Sequence, residues 1–413
     1  IEPTVRHPGW AELETERFWR LLKAGLDEAL RTAQAEIHEI VGVSYSSQAN
    51  TFVLLDEAGK PLTPLVLWTD TRARPDPGLE DFSQSREFAE ATGFCGMSPL
   101  WAAAKLQWFQ QHEPEIWRQT AHIKTLSDYF VFVLTGQHAG DAGTAAFLGL
   151  YELRRQDWWL PVLRHFGITP SQLSRPLLPG TGIGSTVAQS TATLGLPGGV
   201  TVTAGGLDHQ VAALGSGMGK MADASISTGT VLAAMRLVTE PRPTAGCYHG
   251  PHFCEGDFYR LAFDPQGAGQ LEVLQLELCP EAPIGEMIRS ALPEYSETKA
   301  TAFLKASERS RVRAVLYDIA ESHLRLLRRI SQENEIRTVV ATGGGARSRT
   351  WLRLKADLFS LPIKIPACPE RACLGAAILA AHTAGIWPDL DTATKSMVTW
   401  EEDINPGFVP RPT

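Results

Sequence analysis

No apolar run in this chain approaches the roughly 18 residues that a membrane-spanning helix needs. There is no block of basic residues, and the net charge is −8. Both facts argue against a nucleic-acid binder. The beginning shows no basic region followed by an apolar core, so no secretory signal is visible, and the first residue is Ile1 rather than Met. Cysteine is sparse. Cys95, Cys247, Cys254, Cys279, Cys368 and Cys373 are scattered, which fits a reducing, cytoplasmic setting better than a disulfide framework. Two nucleotide-binding motifs are lacking as well. Gly215-Ser-Gly217-Met-Gly219 has the wrong spacing for a dinucleotide fingerprint. Neither Gly59-Lys60 nor Gly219-Lys220 completes a P-loop. If ATP is used, it is not through that motif.

What is present describes an ordinary soluble globular protein, 44% apolar and 20% charged. At 413 residues the chain exceeds what one core usually serves, so two domains are expected. Residues Trp10–Leu30 carry a helical stripe (Phe18, Leu21, Leu22, Leu26, Leu30), and Thr15 could cap its start. Residues 39–46 read as a short strand. The apolar runs Thr51–Leu55 and Pro64–Trp68 flank a polar loop with Gly59, the pattern of a hairpin. Residues 85–136 read as mainly helical. A β run at Val200–Ala204 and another at Ala224–Ser227 precede an amphipathic helix over Arg311–Ile330.

The densest signal is Thr342-Gly343-Gly344-Gly345-Ala346-Arg347. It lies between a β-branched run, Ile336–Val340, and an amphipathic segment, Ser348–Leu358. That order reads as strand, glycine loop, helix. Three glycines let backbone N–H groups approach a ligand closely, and the helix start adds unpaired donors. An anion or a nucleotide suits such a loop, though a tight turn alone also needs glycine. Ser227-Thr228-Gly229-Thr230 ends a strand and reads either as a phosphate pocket or as a plain hairpin turn. Asp208, just after Gly205-Gly206-Leu207, is either a turn residue bonding its own backbone or a general base. Cys247-Tyr-His249-Gly-Pro-His252-Phe-Cys254 matches no standard zinc spacing, and no metal site is assigned to it.

Taken in order, these pieces resemble the FGGY carbohydrate kinases. The resemblance runs from Pro8-Gly-Trp-Ala-Glu12 through Val53-Leu-Leu-Asp56, Trp68-Thr-Asp70-Thr-Arg72, Ser127-Asp-Tyr129 and Leu134-Thr-Gly136. It continues through Gly206-Leu-Asp208-His209-Gln210, Gly229-Thr230, Gly343-Gly-Gly-Ala346-Arg-Ser348 and Leu374-Gly-Ala-Ala377. Each is weak alone; their joint order is specific. The resemblance implies an α/β protein of two ribonuclease H-like, actin-like ATPase domains with a cleft between them. Residues 1–217 would form the sugar-binding domain and 218–413 the ATP-binding domain. It further implies a kinase using ATP and Mg²⁺, the metal arriving with the nucleotide. Asp208 would take the proton from the sugar hydroxyl. Thr228, Gly229 and Thr230 would contact phosphate, and Gly343, Gly344, Gly345 and Ala346 would pack on the adenosine. Gln48, Asn50, Trp68, Asp70, Arg72, Asp208 and His209 would face the sugar. The partners expected are a small sugar and ATP, with no nucleic acid and no membrane. A homodimer is the one assembly considered.

The chain also departs from that family. No Asp-x-Gly-Thr element precedes Pro8, no Gly-Glu-Arg-x-Pro block lies between Met287 and Arg313, and no helix is evident after Pro406–Pro412. The alternative reading is therefore a catalytically impaired sugar- or nucleotide-binding protein of the same fold. Glycerol kinases carry Gln-Arg-Glu-Thr where this chain has Gln48-Ala49-Asn50-Thr51. Without that charged pair glycerol is disfavoured. A pentulose, a hexulose or a related polyol or sugar acid is the expected substrate.

Overall fold

The computed structural model describes residues 3–5, 7–74, 77–229, 231–297, 303–331, 335–401 and 403–407. The chain divides into two compact units. The first comprises residues 1–211, 239–259 and 375–393, and the second 212–238, 260–374 and 394–413. The expected boundary lies after residue 217; by packing, the chain first passes to the second unit after Val211, and two later segments group with the first.

In the first unit, the expected opening helix forms over Thr15–Ala33. Phe18, Trp19, Leu22 and Leu26 face apolar clusters that include Val53, Leu55, Leu65, Leu134 and Val202. Two details differ from the sequence reading. Thr15 lies inside the helix; Glu14 is the cap residue and makes no side-chain cap bond. Leu21 points outward and is exposed, because it sits off the stripe that the clusters cover. The expected hairpin forms, with Phe52–Leu55 antiparallel to Leu65–Val66. The strand His122–Thr125 pairs on the other side of Phe52–Leu55. The segment expected to be mainly helical therefore also contains a strand, followed by the helix Leu126–Thr135, whose Thr125 cap accepts from Asp128 N.

The run expected as one strand over 39–46 is broken into Gly42–Val43 and Ser46–Ser47. Both pieces run parallel to a later stretch. Thr201 and Val202 pair with Gly42 and Val43, while Gly206 and Leu207 pair with Ser46 and Ser47. Gly205 has no Cβ because the backbone and ring of Tyr45 occupy that space.

In the second unit, four neighbouring strands run in the order Leu232–Val238, Ala224–Thr228, Val339–Thr342, Ile363–Lys364. The first pair is antiparallel and the other two pairs are parallel. The long amphipathic helix extends over Ala306–Ser331, burying Val312, Leu316, Ile319, Leu326, Leu327 and Ile330. It packs on Leu232–Val238 and on the helix Arg349–Phe359. Ser348 caps that second helix by accepting from Trp351 N at 3.3 Å. Trp351 is buried and donates its indole N–H to the Leu316 carbonyl at 3.2 Å.

Candidate active site

Functional loops gather beyond the carboxyl ends of parallel strands, where successive turns diverge. Each unit offers such a place. In the first, the pairing of Gly206–Leu207 with Ser46–Ser47 continues directly into Asp208 on one strand and Gln48 on the other. The sequence candidates Asp208 and Gln48 thus leave adjacent strand ends, although 160 positions separate them. Asp208 opens the helix Asp208–Gly215 and is exposed. Its Oδ1 accepts from His209 N at 2.7 Å. The local turn role expected of this residue is therefore real, and it fixes the carboxylate at a helix start. His209 follows it, half-buried.

Gln48 donates from Nε2 to Thr51 Oγ1 at 2.9 Å, and the same hydroxyl accepts from Trp68 N at 3.0 Å. Trp68 is 41% exposed, an unusual position for a large ring and one that leaves its face available. The other sugar candidates differ. Asn50 is buried in the left-handed region at φ 59°, and its Oδ1 accepts from Ala102 N at 2.8 Å. Its amide oxygen thereby satisfies an end N–H of the helix Ala102–His112 rather than projecting toward solvent. Asp70 is 0% exposed. It accepts from Ala11 N at 2.6 Å and from Arg72 Nε and Nη2 at 2.9 and 2.8 Å. Arg72 also reaches Glu12 Oε1 at 2.7 Å and stacks 3.9 Å from the Trp10 ring centroid. Asp70 and Arg72, expected to face a sugar, here direct these polar heads at each other. Those heads are spent on each other beneath the surface, because a buried charge is tolerable only when paired.

Sequence reasoning gave Lys105 no role, yet it ties these loops together. Its side chain is buried, and Nζ donates to the carbonyls of Leu67 at 2.7 Å, Trp68 at 3.3 Å and Asn50 at 3.5 Å. Burial pushes the amine down to about 7. No local signal marks it, since a lone lysine in an amphipathic segment reads as surface.

In the second unit, Ser227 pairs with Thr342, so Thr228-Gly229 and Gly343-Gly344 leave adjacent parallel strands side by side. Thr228 also pairs with Leu232, so the hairpin-turn reading of Ser227–Thr230 is realised. Thr230 lies outside the described residues. Gly343 adopts φ 78°, ψ 179°. A Cβ there would lie 2.6 Å from the Thr228 carbonyl oxygen. Gly345 has the same excuse, for its Cβ would lie 2.5 Å from Thr228 Cγ2. At Gly344, by contrast, a Cβ would meet no protein atom within 4 Å. Gly344 through Arg347 form a 3₁₀ turn with Ala346 buried. A cavity of about 660 Å³ opens here, lined by Thr228, Gly229, Gly344, Gly345, Ser348 and Arg349 among others. That volume suits a nucleoside-sized ligand. The open side of Gly344 is a cradle a nucleotide could fill, so the residues present fit ATP. Among the described residues, no group of three or more His, Cys, Asp or Glu side chains is placed to hold a metal.

Comparison with known proteins identifies the family and the fold. Residues 1–215 match the model for the FGGY family of carbohydrate kinases, N-terminal domain, and residues 304–384 match that for the C-terminal domain. A xylulose kinase of Staphylococcus epidermidis is 25% identical over 432 residues, covering 97% of this chain and 85% of that protein. An autoinducer-2 kinase of Escherichia coli K12 is 26% identical over 444 residues, covering 97% and 83%. Among solved structures, xylulose kinase from Rhodospirillum rubrum superposes with a TM-score of 0.83 at 25% identity, covering 98% of this chain and 88% of that one. A Plasmodium falciparum glycerol kinase with ADP gives 0.79 at 19% identity, covering 98% and 88%, a likeness of fold. The fold is the two-domain α/β, actin-like ATPase fold. No helix among the described residues is long and apolar enough to cross a membrane.

Proposed function

This chain belongs to the FGGY family of carbohydrate kinases, and from that premise we propose that it transfers the γ-phosphoryl group of ATP to a hydroxyl of a pentulose, hexulose or related polyol or sugar acid. Asp208 is the general base. The observation that carries this reading is the strand register that sets an exposed carboxylate at a helix start beside Gln48. A carboxylate so placed is accessible to the hydroxyl of a bound sugar, as a general base must be. Gln48, Trp68 and His209 contribute the contacting surface. Asn50, Asp70, Arg72 and Lys105 brace it from below. The second unit holds the nucleotide, with the Gly344 side of the glycine turn against adenosine and Thr228 and Gly229 toward phosphate; Thr230 is the remaining phosphate candidate from the sequence. Mg²⁺ bound with the nucleotide would neutralise charge on the β- and γ-phosphates. The rest of phosphoryl transfer is positioning and exclusion of water.

The substrate class follows from the loop after Ser47. Ala49 and Asn50 stand where glycerol kinases carry an arginine and a glutamate. Asn50 is already engaged by Ala102 N, so it cannot replace a charged partner for a small triol. The test is ADP release by the purified protein across pentuloses, hexuloses, polyols and aldonates, with Asp208→Asn alongside. The variant is expected to bind nucleotide normally and to lose at least about a hundredfold in turnover. A variant with near-normal turnover removes Asp208 from the role. One observation favours the second reading, a binding protein without phosphotransfer. The stretch expected to carry a Gly-Glu-Arg-x-Pro block instead holds the helix Ile284–Ala291 and the turn Pro293–Tyr295. That reading predicts nucleotide and sugar binding with no sugar-dependent ADP release.

A further inference from the structure

Lys355 lies in the helix Arg349–Phe359, and its side chain is completely buried. Its Nζ donates to Thr228 Oγ1 at 2.8 Å and sits 4.0 Å from the centroid of the Trp351 ring. Among the described residues, no carboxylate pairs with it. A buried ammonium without a counter-charge is costly, and an apolar residue of similar volume would usually serve stability as well or better. The position therefore invites a reason beyond packing.

The surroundings supply one. On the facing helix Ala306–Ser331, His323 is also buried, and its Nε2 lies 3.0 Å from the Ser227 carbonyl. Burial first, then the nearby Lys355, push His323 well below its ordinary range, so it is neutral and donates to that carbonyl. The strands Ala224–Thr228 and Val339–Thr342 bring no ionisable side chain. Two side chains thus grip consecutive residues at the end of one strand, His323 on Ser227 and Lys355 on Thr228, and only Lys355 can carry charge there. The next residue, Gly229, lines the cavity together with Thr228. Burial pushes the Lys355 amine down to about 7, so the free protein holds this charge only in part at neutral pH, and an anion beside Thr228 would favour the ammonium.

We infer that Lys355 is a positioning residue for the phosphate end of the nucleotide: its ammonium orients the Thr228 hydroxyl and lends the Thr228-Gly229 turn a buried positive charge that only a phosphorylated ligand completes. With one lone pair of Oγ1 taken by Lys355, the hydroxyl proton of Thr228 must point elsewhere. The charge acts across low-dielectric packing, where it is little screened. Lys355 need touch no ligand atom itself. The inference rests on the nucleotide reading of the same cavity.

The test is a titration of the full chain with ADP and, separately, with adenosine, for the natural protein, Lys355→Met and Lys355→Gln. Thermal melts establish that each is folded. Loss of one charge facing a phosphate is expected to weaken ADP by at least about tenfold in both variants and to leave adenosine within about twofold. The glutamine variant keeps a donor for Thr228 and carries the test should methionine fail to fold. Equal loss of ADP and adenosine, unchanged ADP affinity, or a glutamine variant that does not fold assigns Lys355 to stability alone and overturns the proposal. If the natural protein binds neither ligand, the nucleotide reading itself is wrong, and that result is distinct from the others.

Discussion

Replacing the three loop glycines one at a time by alanine separates what the turn does for the fold from what it does for a ligand. Gly343, at φ 78° and ψ 179°, occupies a region essentially closed to other residues, a penalty of about 1–3 kcal/mol. Its new Cβ would also press on backbone, at 2.6, 2.9 and 3.0 Å from O, C and N of Thr228. Thr228 ends a strand paired on both sides, so that backbone cannot yield cheaply. Overpacking of this kind costs about 1–3 kcal/mol more. The total, about 2–6 kcal/mol, lowers the melting temperature of the second unit by roughly 4–24 °C, at about 2–4 °C per kcal/mol for a domain of this size. Gly345→Ala meets Thr228 Cγ2 at 2.5 Å and the Trp351 ring at 3.0 Å, and should destabilise through packing alone. Gly344→Ala meets nothing within 4 Å, so its melt should match the natural protein or rise slightly. Any loss it shows must come from a methyl group intruding where a ligand packs. Melting by scanning fluorimetry, paired with ADP titration, reads both effects. A Gly344→Ala protein that binds ADP normally would falsify the cradle. A Gly343→Ala protein with an unchanged melt would sink the geometric argument.

Two further outcomes follow from buried charge. Asp70→Asn leaves the Arg72 guanidinium short of its fully buried partner. Removing one member of such a network costs about 3–5 kcal/mol, read as a lower midpoint in urea; a shift below about 1 kcal/mol would show that the pair is solvated in solution. The pH dependence of stability has a definite sign. Burial pushes Lys105 and Lys355 down to about 7 and Lys124 to about 8, against 10.5 as the ordinary lysine value. The unfolded chain therefore binds more protons between about pH 7 and 10.5, and stability rises with pH in that window. The melting temperature should climb from pH 7 to 9, with a shallower slope in Lys105→Met; a level or falling profile contradicts it.

How much of this was legible in the sequence depended on where each residue's partner lies. The long helix was readable because its stripe repeats locally, and the structure extends it only from residues 311–330 to Ala306–Ser331. The hairpin was readable from Gly59 between two apolar runs, and Gly59 does adopt φ 77°. The glycine turn after Thr342 and the local turn bond of Asp208 were readable for the same reason, since backbone constraint acts over a few residues. Asp70 and Arg72 were read as sugar contacts, and their pairing with each other was not seen. Their burial depends on Glu12, Trp10 and Trp108, far off in the chain, and nothing beside them announces it. The strand at Gly42–Ser47 was drawn too long because its partners, Thr201–Val202 and Gly206–Leu207, come in two pieces with a break between.

The same rule accounts for the lysines. Lys105 and Lys355 each sit in a helix whose sequence reads as half exposed, and each is pulled inward to reach oxygens of a loop remote in sequence. Lys105 holds backbone carbonyls that frame Trp68 and Asn50; Lys355 holds a side-chain hydroxyl beside the cavity. The acceptors differ in what they allow. Carbonyls give a fixed brace, so loss of Lys105 should be felt chiefly as stability and as geometry of the sugar loops. A hydroxyl can relay, because it accepts from the lysine and still donates outward. That difference is why Lys355, and not Lys105, should distinguish a phosphorylated ligand from its unphosphorylated counterpart.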